Sequence, residues 1–243
     1  MFFIRFLKQR CALCNAPLNK STCLCHDCSG SLVLMDTLPH CKRCATPLPA
    51  AIETGTVPVC GHCLKAPPFF QETHAAYRYQ GKMLELIHQL KFGERLVTLP
   101  FLVDSMQTLL RSHYHNRPFP DLLIPTPLAY ARQFKRGYNQ AHEIARRLAS
   151  TLKIPYSPHL LKKIKQTQAQ AGLTRRLREK NIKGSFKVTL PIPKIKSIAL
   201  LDDVMTTGAT LREMSKTLHQ AGIQEIHLWV VARTGRDGTQ FQN

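Results

Sequence analysis

Hydrophobic and polar positions are most sharply ordered at Ile198–Thr210, which reads IALLDDVMTTGAT. Four consecutive apolar residues, Ile198, Ala199, Leu200 and Leu201, predict a short strand covered on both faces. Asp202 and Asp203 follow, then a Thr-Thr-Gly-Ala-Thr turn. Leu211, Met214 and Leu218 recur beyond it at helical spacing, and Gly222 is placed to close that helix. Upstream, His74–Tyr79 reads as a strand. Met83–Phe92 (MLELIHQLKF) reads as a helix with Leu84, Ile87 and Leu90 on one side and Lys91 beside them. A second apolar helix is expected from Leu96 to Leu110. Asp121–Leu128 (DLLIPTPL) is a strand entering a proline-punctuated loop, and a helix follows through Ala149. Thr174–Asn181 reads as a basic helix, and Glu225–Arg233 as a last buried strand with Trp229 in the core. The series predicts an α/β domain with a mainly parallel sheet and flanking helices.

The N-terminal quarter follows another logic. All nine cysteines lie between Cys11 and Cys63, as the pairs Cys11/Cys14, Cys25/Cys28, Cys41/Cys44 and Cys60/Cys63, with Cys23 left over. Four C-x-x-C pairs point to zinc rather than disulfides in a cytoplasmic protein. Two pairs close one tetrahedral site at a Zn–S distance of about 2.3 Å, and an all-cysteine site leaves no position open for catalysis. Sequential pairing gives one site from Cys11, Cys14, Cys25 and Cys28 and another from Cys41, Cys44, Cys60 and Cys63. Interleaved pairing, or a single occupied site, is also open to the sequence. His26 and His62 are neighbours of ligands, not ligands. A segment this small cannot build its own core, so bound metal would supply its folding energy. Pro67-Pro68 is a joint, which divides the chain into a Cys-rich zinc module, residues 1–68, and an α/β domain, residues 69–243.

Charge changes the picture further. The chain carries 34 Lys+Arg against 15 Asp+Glu, a formal net charge of +19, which suits contact with nucleic acid or another polyanion. The excess is concentrated: residues 131–187 hold fifteen Lys/Arg and only two acids, Glu143 and Glu179. Lys135, Arg136, Lys162, Lys163, Arg175, Arg176, Arg178 and Lys180 are candidates for phosphate contacts along a nucleic-acid strand. Phe134, Tyr138, Tyr156 and Phe186 are the nearby aromatics for stacking. No base-reading motif stands out, so sequence-independent binding is expected. No apolar run approaches the roughly 20 residues of a membrane span, and MFFIRFLKQR is too short and too soon charged for a signal peptide. The cytoplasm is the expected location, with the inner face of the membrane as an alternative address.

The turn at Thr206, Thr207, Gly208, Ala209 and Thr210 offers hydroxyls and backbone N–H groups at a helix N-terminus, a nest for a phosphate monoester. Asp202 and Asp203 cannot favourably face that phosphate and are better suited to accept hydrogen bonds from a diol. Together they suit a ribose 5-phosphate. The stretch resembles the 5-phosphoribosyl-1-pyrophosphate (PRPP) motif of type I phosphoribosyltransferases, element for element over thirteen positions. That resemblance implies PRPP, accompanied by Mg²⁺, as the ligand. It also implies a pyrophosphate loop at Pro125, Thr126 and Pro127, with Arg132 and Arg136 as cationic clamps.

Three further stretches narrow the resemblance. Arg136–Gln140 (RGYNQ), Gln166–Phe186 with Gln166, Thr167, Gln170, Leu173, Arg178, Asn181 and Phe186, and Leu86–Phe92 (LIHQLKF) are similar to the ComF family of phosphoribosyltransferase-like competence proteins, as is the double zinc module. The resemblance covers nearly the whole chain. It implies single-stranded DNA handling during natural transformation, with Tyr138, Asn139 and Gln140 joining the DNA-contact set. Its implied partners are the uptake translocase and recombination-mediating proteins. The competing reading is an active phosphoribosyltransferase. Thr206 stands where purine-specific members often carry an Asp, and a threonine hydroxyl is no useful general base at neutral pH. No segment reads as a hood for a nucleobase either. A third reading, a zinc adaptor with an inert second domain, is disfavoured by the intact Asp202-Asp203 pair.

Overall fold

The computed structural model describes residues 9–18, 22–49, 58–91, 96–128, 138–165, 175–189 and 195–235. β1 (Glu72–Arg78), β2 (Leu122–Pro125), β5 (Ser197–Met205) and β6 (Glu225–Arg233) make one sheet in the order β1-β6-β5-β2, parallel at every pairing. β3 (Leu161–Lys163) and β4 (Phe186–Val188) form a small antiparallel pair of their own. The helices are α1 (His26–Gly30), α2 (Gly61–Lys65), α3 (Lys82–Lys91), α4 (Leu99–His113), α5 (Gln140–Leu152), α6 (Arg175–Ile182) and α7 (Ala209–Gln220).

Period-2 alternation of buried residues sorts the strands onto two cores. Ala199 and Leu201 of β5, Trp229 and Val231 of β6 and Leu123 of β2 face a core built with α3, α4 and α5. Ile198 and Leu200, Ile226, Leu228 and Val230, and Leu122 and Ile124 face the opposite core with α7, Ile182 and Phe186. Because both faces are covered, the strands read as continuous apolar runs. The cysteine-rich segment feeds both cores. Ala12, Leu24 and Leu32 pack on the first, and Met35, Ala45 and Leu48 on the second. Its apolar side chains thus find burial that the segment could not supply alone.

Element boundaries depart from the sequence expectation where tertiary partners intervene. β5 does not stop at Leu201. Its ladder with β6 continues through Asp202↔Val230 to Met205↔Arg233, so both aspartates ride on the strand. α5 runs three residues past Ala149 to Leu152 and ends where Lys153 takes a left-handed conformation. Leu96–Thr98 forms a 3₁₀ turn, which shifts the start of α4 to Leu99. α3 coincides with its prediction to within a residue. Trp229 is fully buried. Among the described residues, no helix is long and apolar enough to cross a membrane.

Candidate functional site

The cysteines assemble sequentially. Cys11, Cys14, Cys25 and Cys28 form one group and Cys41, Cys44, Cys60 and Cys63 another, with all donor atoms of each group within 4.8 Å of one another. Sγ–Sγ separations of 3.6 Å for Cys14–Cys25 and for Cys44–Cys60 are close to the roughly 3.8 Å that a tetrahedral ion at about 2.3 Å requires. The two groups repeat one design. Each first pair lies in a turn whose next residue, Asn15 or Ala45, has positive φ, and Arg10↔Pro17 and His40↔Pro47 bridge the flanks. Each second pair opens a short helix, from Cys25 into α1 and from Cys60 into α2. Backbone N–H groups of Cys25 and Cys60 donate to Cys11 Sγ and Cys41 Sγ, respectively, which suits thiolates rather than thiols. His26 and Cys23 belong to neither group, and burial pushes the Cys23 thiol up.

The second centre of interest lies at the carboxyl ends of the strands, where open parallel sheets place their ligands. β5 delivers Asp202 and Asp203, Thr206–Gly208 turns the chain, and Ala209 and Thr210 open α7. Gly208 has φ +75°, and a Cβ there would sit 2.5 Å from Met205 Cε, so only glycine fits without displacing that side chain. Thr207 Oγ1 accepts from the Ala209 N–H at 3.3 Å. Desolvation, reinforced by the Asp203 charge beside it, raises the Asp202 carboxyl well above the usual carboxylate range. Asp202 therefore lacks enough donors or positive charge around it to ionise comfortably.

Pro125 pairs with Leu201, and Thr126 donates through N–H and Oγ1 to the Leu201 carbonyl at 2.8 and 3.1 Å. The expected pyrophosphate loop and the aspartate-bearing strand are thus neighbours. Arg132, Lys135 and Arg136 lie outside the described residues, as do Gln166, Thr167, Gln170 and Leu173.

Tyr138, Asn139 and Gln140, the described part of the RGYNQ stretch, are engaged internally. Gln140 is buried, and its Nε2 donates to the Leu90 and Lys91 carbonyls at 3.5 and 3.4 Å. The Tyr138 hydroxyl donates to the Leu90 carbonyl. Asn139 uses both ends of its amide internally, donating to Thr126 O at 2.9 Å and capping α5 by accepting from His142 N–H at 3.3 Å. Gln140 is thereby corrected from surface contact to internal brace, because its buried amide serves the Leu90 and Lys91 carbonyls in the last turn of α3. The held residue is Lys91. Its Nζ lies 3.1 Å from Asp203 Oδ2. Burial disfavours its charge, but the Asp203 carboxylate outweighs burial and holds the ammonium above its ordinary range. Reading residues one at a time missed Lys91 as a site residue. The signal was present in LIHQLKF, where a lysine interrupts the apolar side of the helix.

A cleft of about 580 Å³ opens beside this site. Pro125, Pro127, Tyr138, Asn139, Lys162 and Lys163 all line it, together with His142 and His159. Lys180 is exposed on α6; Arg175, Arg176 and Arg178 share that helix, and their side chains lie outside the described set. Phe186 is 5% exposed and belongs to a core, so it offers no stacking surface. The Tyr156 hydroxyl is paired with His142 Nδ1 at 2.8 Å.

Comparison with known proteins agrees with this anatomy. Residues 5–64 match the double zinc ribbon domain, and residues 135–240 the phosphoribosyl transferase domain. Competence protein F of Haemophilus influenzae is 32% identical over 95% of this chain and 99% of its own length. The chain belongs to the ComF family. DNA utilization protein YhgH of Escherichia coli K12 is 30% identical over 92% of this chain and 96% of that protein. Competence protein ComFC of Bacillus subtilis is 30% identical over 63% of this chain and 60% of its own. The C-terminal part of this ComF protein has the type I phosphoribosyltransferase fold, and its N-terminal part is a double zinc ribbon with structural zinc at the two Cys₄ groups.

Proposed function

We propose that this ComF protein binds single-stranded DNA during DNA uptake for natural transformation, using the phosphoribosyltransferase-like domain as a phosphate-binding scaffold that keeps PRPP as a ligand. The names of its relatives, competence protein F and DNA utilization protein YhgH, support the biological setting. The observation that carries the molecular reading is a shared wall. Pro125 pairs with Leu201 on the strand that bears Asp202 and Asp203, and Pro125 and Pro127 line the cleft with Lys162 and Lys163. A nucleic-acid phosphate in the cleft and a sugar phosphate on the turn would therefore be close neighbours. In this reading Asp202 and Asp203 accept the ribose hydroxyls, while Thr206, Thr207, Gly208, Ala209 and Thr210 hold the 5-phosphate. Pro125–Pro127, with Arg132 and Arg136, takes the pyrophosphate. Two adjacent carboxylates, with one ammonium on Asp203, suit a hard cation with oxygen ligands, so Mg²⁺ would bind with PRPP and neutralise charge there. The protein would act in the cytoplasm or at the inner face of the membrane, beside the uptake translocase and recombination mediators.

The test is fluorescence anisotropy of labelled single-stranded DNA across a salt series, with and without magnesium PRPP. Sub-micromolar binding with a steep salt slope, weakened by PRPP, is expected. No binding near physiological salt would remove DNA handling from the account. Replacing Arg175, Arg176 and Arg178 together should flatten the slope by about 2, since each single-strand contact contributes roughly 0.7; an unchanged slope would move the DNA path off α6. A second reading, transfer of ribose 5-phosphate to an acceptor with pyrophosphate leaving C1, is favoured by the volume of the cleft, which has room for an acceptor. Pyrophosphate release on adding candidate acceptors would support it.

A further inference from the structure

The second cysteine group and the threonine-glycine turn meet at one buried side chain. Arg233, the last residue of β6, is 4% exposed. Its Nε donates to the Cys44 carbonyl at 2.9 Å and its Nη2 to Thr46 Oγ1 at 2.7 Å. On the other side, Nη1 donates to the Met205 carbonyl at 2.9 Å and also to the Thr206 carbonyl. Thr46 Oγ1 lies 3.1 Å from Cys44 Sγ, so the hydroxyl can donate to sulfur while accepting from the guanidinium. Arg212, in the first turn of α7, completes the connection: Nη2 donates to Cys63 Sγ at 3.3 Å and Nη1 to the Ala66 carbonyl at 3.2 Å. Both the turn and the helix it opens are thus tied to the same cysteine group, one through Cys44 and Thr46 and the other through Cys63.

Electrostatics explain the choice of residue. A buried guanidinium needs acceptors and counter-charge nearby, and Arg233 donates to carbonyls and to the Thr46 and Thr234 hydroxyls beside the second cysteine group. Four thiolates around one divalent ion leave a net charge of about −2, which the guanidinium groups of Arg233 and Arg212 are placed to offset. The planar fork of arginine then carries that anchorage to two successive carbonyls of the turn, which a lysine ammonium could not reproduce. The first cysteine group is connected elsewhere, through Lys82 Nζ to Cys28 Sγ at 3.4 Å and Gln89 Nε2 to the Ala12 carbonyl at 3.1 Å, both on α3.

We propose that Arg233 is a positioning residue that couples the second zinc ribbon to the Thr206–Gly208 turn, so that the ribbon is a brace for the ligand loop. The functional consequence rests on the sugar-phosphate reading above; the coupling itself does not. The test uses the full chain with Thr46→Val and, separately, Arg233→Lys, reading zinc content, amide hydrogen exchange and magnesium PRPP affinity. Thr46→Val should keep two zinc ions per chain and melt within about 3 °C of the parent. Its amides at 206–210 should nevertheless exchange roughly tenfold faster, and PRPP should bind roughly tenfold more weakly. Arg233→Lys should show the same pattern more strongly. By reciprocity, PRPP should slow zinc loss to a chelator from the second ribbon and leave the first unchanged. Parent-like exchange at 206–210 in both variants, with zinc retained, would overturn the proposal. If exchange rises as expected but the parent protein takes up no PRPP, the coupling stands and the sugar-phosphate reading fails.

Discussion

At the amino ends of β1 and β6, Glu72 faces His227 across the ladder; at the carboxyl end of β5, Asp202 and Asp203 follow one another along the strand. Both are clusters of ionisable groups at the rim of one sheet, but their hydrogen-bonding differs. Glu72 Oε1 lies 3.1 Å from His74 Nε2 and 3.0 Å from His227 Nδ1, and it also accepts from Arg117 Nη2. His227 Nε2 continues to Glu225 Oε1 at 2.8 Å, and Arg117 stacks on Tyr114. Despite desolvation, these donors hold the Glu72 carboxyl far below the usual carboxylate range. The aspartates instead share one ammonium, Lys91, and Asp202 is pushed the other way. Two acid clusters on one sheet thus differ: one is saturated by the fold and ties the segment after α4 to the sheet, and the other is left short of donors, as the proposed ligand site requires.

The difference can be broken at its saturated end with the largest effect. Glu72→Ala would strand two histidines and an arginine, and should cost about 3–5 kcal/mol in denaturant unfolding, with zinc content and PRPP affinity unchanged. A loss below about 1 kcal/mol would mean the network is idle. At the ligand end the sign reverses. Asp202→Asn removes a carboxyl that is strained in the free protein, and should add about 0.5–2 kcal/mol to stability while abolishing PRPP binding by calorimetry. Its pH dependence follows from the same shifts. Glu72 and His74 both have depressed folded values, so their contributions are full above the unfolded values of about 4.3 and 6.5 and fade as pH falls below them. Asp202 has a raised folded value, so the parent loses stability as pH rises through it. The advantage of Asp202→Asn should therefore be present at pH 7 and vanish below about pH 4; a pH-independent advantage would contradict the assigned cause. The smallest effect is expected from Lys91→Met. Without its ammonium the Asp202 carboxyl is pushed up further, and stability should fall relative to the parent between about pH 4 and 7, by on the order of 1 kcal/mol. An unchanged pH profile would mean that Lys91 does not hold Asp203.

The sequence made the strand–turn–helix at 198–210 legible because its chemistry is contiguous: strand, acids, hydroxyls, glycine and helix start fall within thirteen positions. The cysteine groups were legible for the same reason, although their sequential grouping needed coordinates. What was hidden depends on contacts between distant segments. Lys91 meets Asp203 across more than a hundred residues, and Arg233 joins Thr46 to Thr206 across nearly the whole chain. In one dimension, Tyr138, Asn139 and Gln140 look like a polar surface run. Only the fold reveals that they cap α3 and tie down the loop after β2. The saturated Glu72 network was equally invisible, since His74 and His227 are ordinary strand residues until β1 and β6 are paired.

The most direct measurement is hydrogen exchange on the full zinc-loaded chain, with and without magnesium PRPP. Slower exchange confined to 202–210 and 124–128, with 72–74 and 225–227 unchanged, is the expected result. Protection at the Glu72 end, or none at the aspartate turn under saturating PRPP, would contradict the assignment of the unsaturated end as the ligand site.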